Sequence, residues 1–141
     1  AGSSISSGGV WTGLNHDMAK RLPTRERLHQ IHRWACDTWD TPARLRVETR
    51  LPKEYKGCLG CVEFPDEFPK GLPPLIRVLK TNRSQSAETY LHEFAHIVDC
   101  HRNGFAEGRK HEGHDAAFRN VAHEVLVRFV YEGGEVESQD F

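Results

Sequence analysis

Residues 87–101 contain neither glycine nor proline, and at their centre stands His92-Glu93-Phe94-Ala95-His96. The polar run Thr81-Asn82-Arg83-Ser84-Gln85-Ser86 precedes them and Asn103-Gly104 follows. This pattern predicts a helix that starts at a Ser86 N-cap and closes at Asn103-Gly104. Four residues advance a helix by about 400°, so the two imidazoles share one face a turn apart and can reach a single ion. Any fold for this chain must therefore contain a helix with two histidines and a carboxylate, with the remaining apolar sequence packed around it.

Neutral imidazole is a good zinc ligand. Glu93, beside the first histidine, can lean toward a metal-bound water without taking a coordination position, which is where a general base belongs. Catalytic zinc commonly has three protein ligands and an open fourth position, so another ligand is expected downstream. The chain has nine histidines, and four of them compete for that place. His101 is five residues past His96, about 500° round the helix, and should face away. His123 falls among the polar positions of the last helical pattern and should face solvent. His114 lies four residues before Phe118, in line with an apolar stripe, and Gly113 beside it permits a close turn. His111, in a charged loop, lacks such an anchor and is the weaker alternative. The expected metal set is His92, His96 and His114, with Glu93 as the catalytic group.

Around this motif the pattern is α+β. Thr24, a good N-cap, opens a helix over residues 24–39, with Leu28, Ile31, Trp34, Ala35 and Trp39 at helical spacing. Thr41-Pro42 breaks it. The period then changes to two, with Leu45, Val47, Thr49 and Leu51 alternating with Arg44, Arg46, Glu48 and Arg50, as in a half-buried strand. Short strands are expected over 58–64 and 75–79. Phe118, Val121, Ala122, Val125, Leu126, Phe129 and Val130 form the stripe of a last helix, stopped by Gly133-Gly134.

A Gly/Ser-rich lead over 1–20, one domain over 21–134 and an acidic tail over 135–141 are the expected divisions. With 141 residues, 38% hydrophobic and a net charge of -1, the chain is an ordinary globular one rather than disordered. No apolar run approaches the ~18 residues of a membrane span, and no signal-peptide order is seen at the start, so no membrane partner is expected. Four unevenly spaced cysteines suit a reducing, intracellular compartment, whether cytoplasm, nucleoid or nucleus.

The run Glu112-Gly113-His114-Asp115-Ala116-Ala117-Phe118 resembles the H-G-x-x-F element that follows H-E-x-x-H in SprT-like zinc metalloproteases, the Spartan group among them. The resemblance spans residues 81–129. It implies a compact zincin-like core, Zn2+ held by His92, His96 and His114, Glu93 as catalytic acid/base, and hydrolysis of peptide bonds in proteins on or near DNA. The sequence departs from that family where Asp115 replaces the usual Gly and where Glu107-Gly108-Arg109-Lys110 extends the loop between the second and third ligands. The four-cysteine zinc ribbon of many members has no counterpart. The phrase from Tyr90 to Asp99 also resembles the active helix of lethal-factor-like metalloproteases, which implies a downstream Glu as third ligand, with Glu124, Glu132 and Glu135 available. A non-catalytic zinc-dependent binding module, or a nucleic-acid adaptor with a structural metal, would keep the same histidines.

The fold expected from these elements is an α+β zincin-like domain, with three helices on one face of a small, mostly antiparallel sheet. Cys58-Leu59-Gly60-Cys61 lacks a second pair in register and reads as a turn or bulge with two ordinary thiols. Arg21, Arg25, Arg27 and Arg33, with Trp34 and Trp39, offer either weak DNA contact or a solvated basic face above buried tryptophans. His111 or Tyr131 is the expected donor to the transition-state oxyanion.

Overall fold

A computed structural model of the chain describes residues 23–55, 57–68, 70–81, 83–104 and 116–132. Helix α1 (Thr24–Trp39) is followed by β1 (Arg44–Glu48), a 3-10 turn (Lys53–Tyr55), β2 (Gly60–Glu63), β3 (Leu75–Leu79), α2 (Arg83–Asn103) and α3 (Ala116–Tyr131). The class is α+β. The expected lead over 1–20 and the tail over 135–141 lie outside the described residues. Among the described residues, no helix is long and apolar enough to cross a membrane.

Strand order is β1-β3-β2. β1 runs parallel to β3, from Arg44 opposite Leu75 to Glu48 opposite Leu79. β2 runs antiparallel to β3, from Gly60 opposite Val78 to Glu63 opposite Leu75. The sheet is therefore mixed, which corrects the expectation of a mostly antiparallel one. The cause lies in the connections. The chain leaves β1, crosses the end of β3 and starts β2 from that same end, so β2 opposes β1. The return into β3 then opposes β2, which leaves β3 parallel to β1. The nearly unbroken apolar run of β3 suits its central position.

Leu45, Val47, Ile76, Val78 and Val62 face the helices, α1 lying against β1 and α2 against β2 and β3. α3 packs chiefly on α2 instead of joining the other helices on the sheet. It also reaches α1, where Trp34 meets Phe129 edge to face with centroids 5.5 Å apart. Trp34, Tyr90, Phe94, Phe118 and Phe129 are fully buried at the centre. The stripe on α3 ends at Phe129, because Val130 is 40% exposed.

Two expected caps differ. α1 has the expected bounds, but Pro23 is its N-cap and no side chain caps it. α2 begins four residues early, and Ser86 lies buried inside it, its hydroxyl accepting the Thr81 backbone N–H at 3.0 Å. At the other end of α1, Asp40 adopts φ 49°, a left-handed conformation that Asp tolerates, and Thr41 N–H returns to the Cys36 carbonyl.

α1 also closes one edge of the sheet. The outward carbonyl of Val47 accepts Arg25 Nη1–H at 2.7 Å, and that of Ala43 lies 3.0 Å from His32 Nε2. A carbonyl can only accept, so Nε2 carries the proton and the bare Nδ1 accepts Tyr90 O–H at 2.7 Å. The neutral imidazole satisfies both contacts, and burial, with smaller contributions from His29 and Arg33 on the same helix, holds its pKa below 6.5. The unfolded chain takes up this proton near pH 6.5 while the folded chain refuses it. This part of the stability is therefore complete above pH 6.5 and is lost as pH falls below it. Urea midpoints should fall between pH 7 and 5, and His32→Gln, at a cost on the order of 1 kcal/mol at pH 7, should flatten that decline. An equally steep acid loss in the variant would remove His32 as its source.

Candidate metal centre

His92 and His96 stand side by side on α2, ring centroids 5.1 Å apart and planes at 81°. Phe118, fully buried near the start of α3, meets both. Its ring stacks on His96 at 4.1 Å and 18° and meets the edge of His92 at 5.2 Å. The expected pair is thus brought together and walled by an aromatic ring from the next helix. Residues 105–115, His111 and His114 included, lie outside the described residues, and the description resumes at Ala116, two positions before that ring. Among the described residues, no group of three metal-ligating side chains forms. The pair supplies two imidazole donors suited to zinc.

Glu93 is placed by β2. A Cβ on Gly60 would lie 3.4 Å from Glu93 Cγ, 2.7 Å from Thr89 Cγ2 and 2.9 Å from the Arg77 carbonyl oxygen, so only glycine lets the strand sit this close to the helix. Glu93 is half-buried, and desolvation pushes its carboxyl up to about 7. Gly60→Ala should destabilise the chain by about 1–3 kcal/mol, because the Arg77 backbone cannot swing aside as a side-chain tip can. Urea unfolding measures this, and an unchanged midpoint would show that the contact relaxes freely.

The pattern around Gly60 suggests a turn or bulge and gives no sign of this close approach. Gly60 and Cys61 instead occupy regular ladder positions opposite Val78 and Arg77. All four cysteines are free, and burial, with Glu63 and Glu93 nearby, pushes the Cys61 thiol up to about 11.

The other candidates lie elsewhere. His101 and His123 are exposed, and the His101 ring packs on Phe68 at 5.2 Å. Glu124 accepts both Arg102 Nη1 and Nη2, at 2.8 and 2.7 Å, and Glu132 accepts Trp34 Nε1–H and pairs with Arg128. Neither joins the histidine pair, and Glu135 lies outside the described residues. Tyr131 is 84% exposed and 13 residues beyond Phe118, roughly 20 Å along α3, so the expectation of an oxyanion donor there is corrected.

Of the two readings of α1, the features described fit buried tryptophans beneath a partly solvated basic face. Arg27 is only 4% exposed, bonded to Gln30 and set 5.9 Å over Phe129. Trp34 is fully buried and Trp39 carries Arg102 over its ring at 5.5 Å. Arg25 is committed to Val47, Arg33 stays exposed, and Arg21 lies outside the described residues. Compared with protein-family models, with characterised proteins and with solved structures, the chain gives no match.

Proposed function

We propose that the chain is a zinc-dependent peptidase of zincin type, resembling the SprT-like metalloproteases, that hydrolyses peptide bonds in protein substrates. The observation that carries this is the placement of Glu93. It is half-buried, adjoins His92 on the helix turn that carries His96, and packs against β2, the sheet edge not sealed by α1. His92 and His96 would hold Zn2+ together with His114, leaving a fourth position open. Bound there, zinc would polarise the scissile carbonyl and make a water acidic enough to attack it. Glu93, whose carboxyl desolvation raises to about 7, would take the proton of the attacking water on a carboxylate oxygen and hand it to the leaving amine.

The backbone of β2 orients the substrate. Leu59 O accepts Leu79 N–H, so by alternation Gly60 and Val62 direct their N–H and C=O groups away from β3. Among the described residues no strand pairs with them. An extended polypeptide added to that edge would carry its carbonyls past Glu93. By the same resemblance, proteins associated with DNA inside the cell are the proposed substrate class. DNA contact by α1 is left out of the proposal, since its tryptophan and arginine side chains are mostly engaged. Cleavage of an unfolded protein by the zinc-loaded chain, set beside Glu93→Gln, tests the assignment.

A further inference from the structure

On the sheet face turned away from the helices, both carboxylates are already in use. Arg77 donates to Glu48 at 2.9 and 3.1 Å and to Glu63 at 2.9 Å, and Tyr55 O–H also donates to Glu63. The cations around them are not matched in this way. Arg46, Arg50, Lys53 and Lys80 are exposed, and among the described residues no carboxylate pairs with Arg50 or Lys53.

Where β1 and β3 end and β2 begins, a groove of about 520 Å³ opens, lined by Arg50, Leu51, Lys53, Tyr55, Cys58 and Leu79 among others. Leu51, Tyr55 and Leu79 are half-buried and give it an apolar lining, while Arg50 and Lys53 are exposed. Cys58 is two residues from Gly60, so the groove begins roughly 7 Å along the strand from the contact with Glu93.

We propose that this groove is a specificity subsite for acidic side chains of an extended polypeptide lying along the β2 edge. The proposal rests on the peptidase reading for the path of the chain and on charge complementarity for its preference. Two unpaired cations beside an apolar lining fit Asp or Glu next to an apolar residue. A nucleic acid fits less well, because Tyr55 is the single aromatic ring among the lining residues, whereas a single strand is held by stacking successive bases on several rings.

Each exposed charge pair contributes roughly a two- to fivefold factor, so two give a preference of about tenfold. The test uses two fluorescein-labelled decapeptides, identical except for two adjacent Glu or two Gln, titrated into the Glu93→Gln chain by anisotropy at low and high salt. The Glu peptide should bind about tenfold tighter at low salt, and salt should erase the difference. The preference should also vanish in Arg50→Gln/Lys53→Gln, with an unchanged thermal midpoint, and persist in Arg33→Gln. Equal binding of the two peptides, no binding of either, or a preference that survives the double substitution would overturn the proposal. So would a single-stranded oligonucleotide that binds more tightly than the Glu peptide and is lost with Arg50 and Lys53. Wild type with zinc is assayed on both peptides in parallel. Acid preference without cleavage would defeat the peptidase reading and leave the groove standing, whereas cleavage without acid preference would defeat the groove alone.

Discussion

Glu93→Gln should retain its zinc and lose turnover by about 10²- to 10⁴-fold, the range a positioned acid/base supplies. The amide has the size of the carboxyl it replaces, so it fits the space beside Gly60 and Thr89 without disturbing the strand. It cannot accept the proton of the attacking water. Because burial disfavours the charged carboxylate there, the variant should be at least as stable as wild type in the metal-free state. Elemental analysis and cleavage rates on one unfolded substrate separate the two effects. The pH profile has a defined sign as well. Burial raises the Glu93 carboxyl to about 7, and a cation on the neighbouring imidazoles draws it back down, so the acid limb of kcat/KM should lie below about 7. A variant as fast as wild type would remove Glu93 from the chemistry. A zinc-loaded wild type without activity would leave a binding module built on the same residues.

His92→Ala, His96→Ala and His114→Ala should each reduce bound zinc from about one ion per chain to near none after dialysis, while His111→Ala keeps it. Two imidazoles leave a tetrahedral ion half-coordinated, so a third side chain decides retention. His114 is the expected one, because the Phe118 ring touches both histidines and Ala116 lies two positions before it. Position 114 is two residues before Ala116, within about 7 Å of chain, whereas position 111 has about 17 Å of slack. Glu124→Ala and Glu132→Ala should keep the metal, since those carboxylates serve Arg102, Arg128 and Trp34. Equal zinc loss at positions 111 and 114 would undo the preference for His114.

Periodicity made α1 readable to the residue and fixed the side of α2 on which His92 and His96 lie, while β3 was readable as an apolar run after a Pro/Gly-rich stretch. It could not orient β1, because strand direction was decided by which end of the sheet residues 49–59 cross, a property of the connection and not of the strand. The first turn of α2 was hidden by polar residues that also suit a loop; Ser86 does bond to Thr81, but from inside the helix. Arg27 and Trp34 show the limit for surfaces, since an arginine count on a helix says nothing of which ones fold inward over Phe129. In the candidate site, the side-by-side placement of His92 and His96 was legible from spacing alone. The notch at Gly60 was not, because a missing side chain matters only once a neighbour such as Glu93 stands opposite it.

The unequal edges of the sheet bear on how this protein can associate with itself. Arg25 and His32 occupy the outward carbonyls of Val47 and Ala43, so the β1 side offers a poor template for another strand. Among the described residues, the edge left for a second copy is β2. Two copies joined there would turn their β1 sides outward, where α1 already holds two of the carbonyls, so further strand pairing is disfavoured beyond the pair. Such a pair would occupy the backbone groups beside Glu93 in both copies, which would make crowding a competitor of the proposed substrate instead of a route to aggregation.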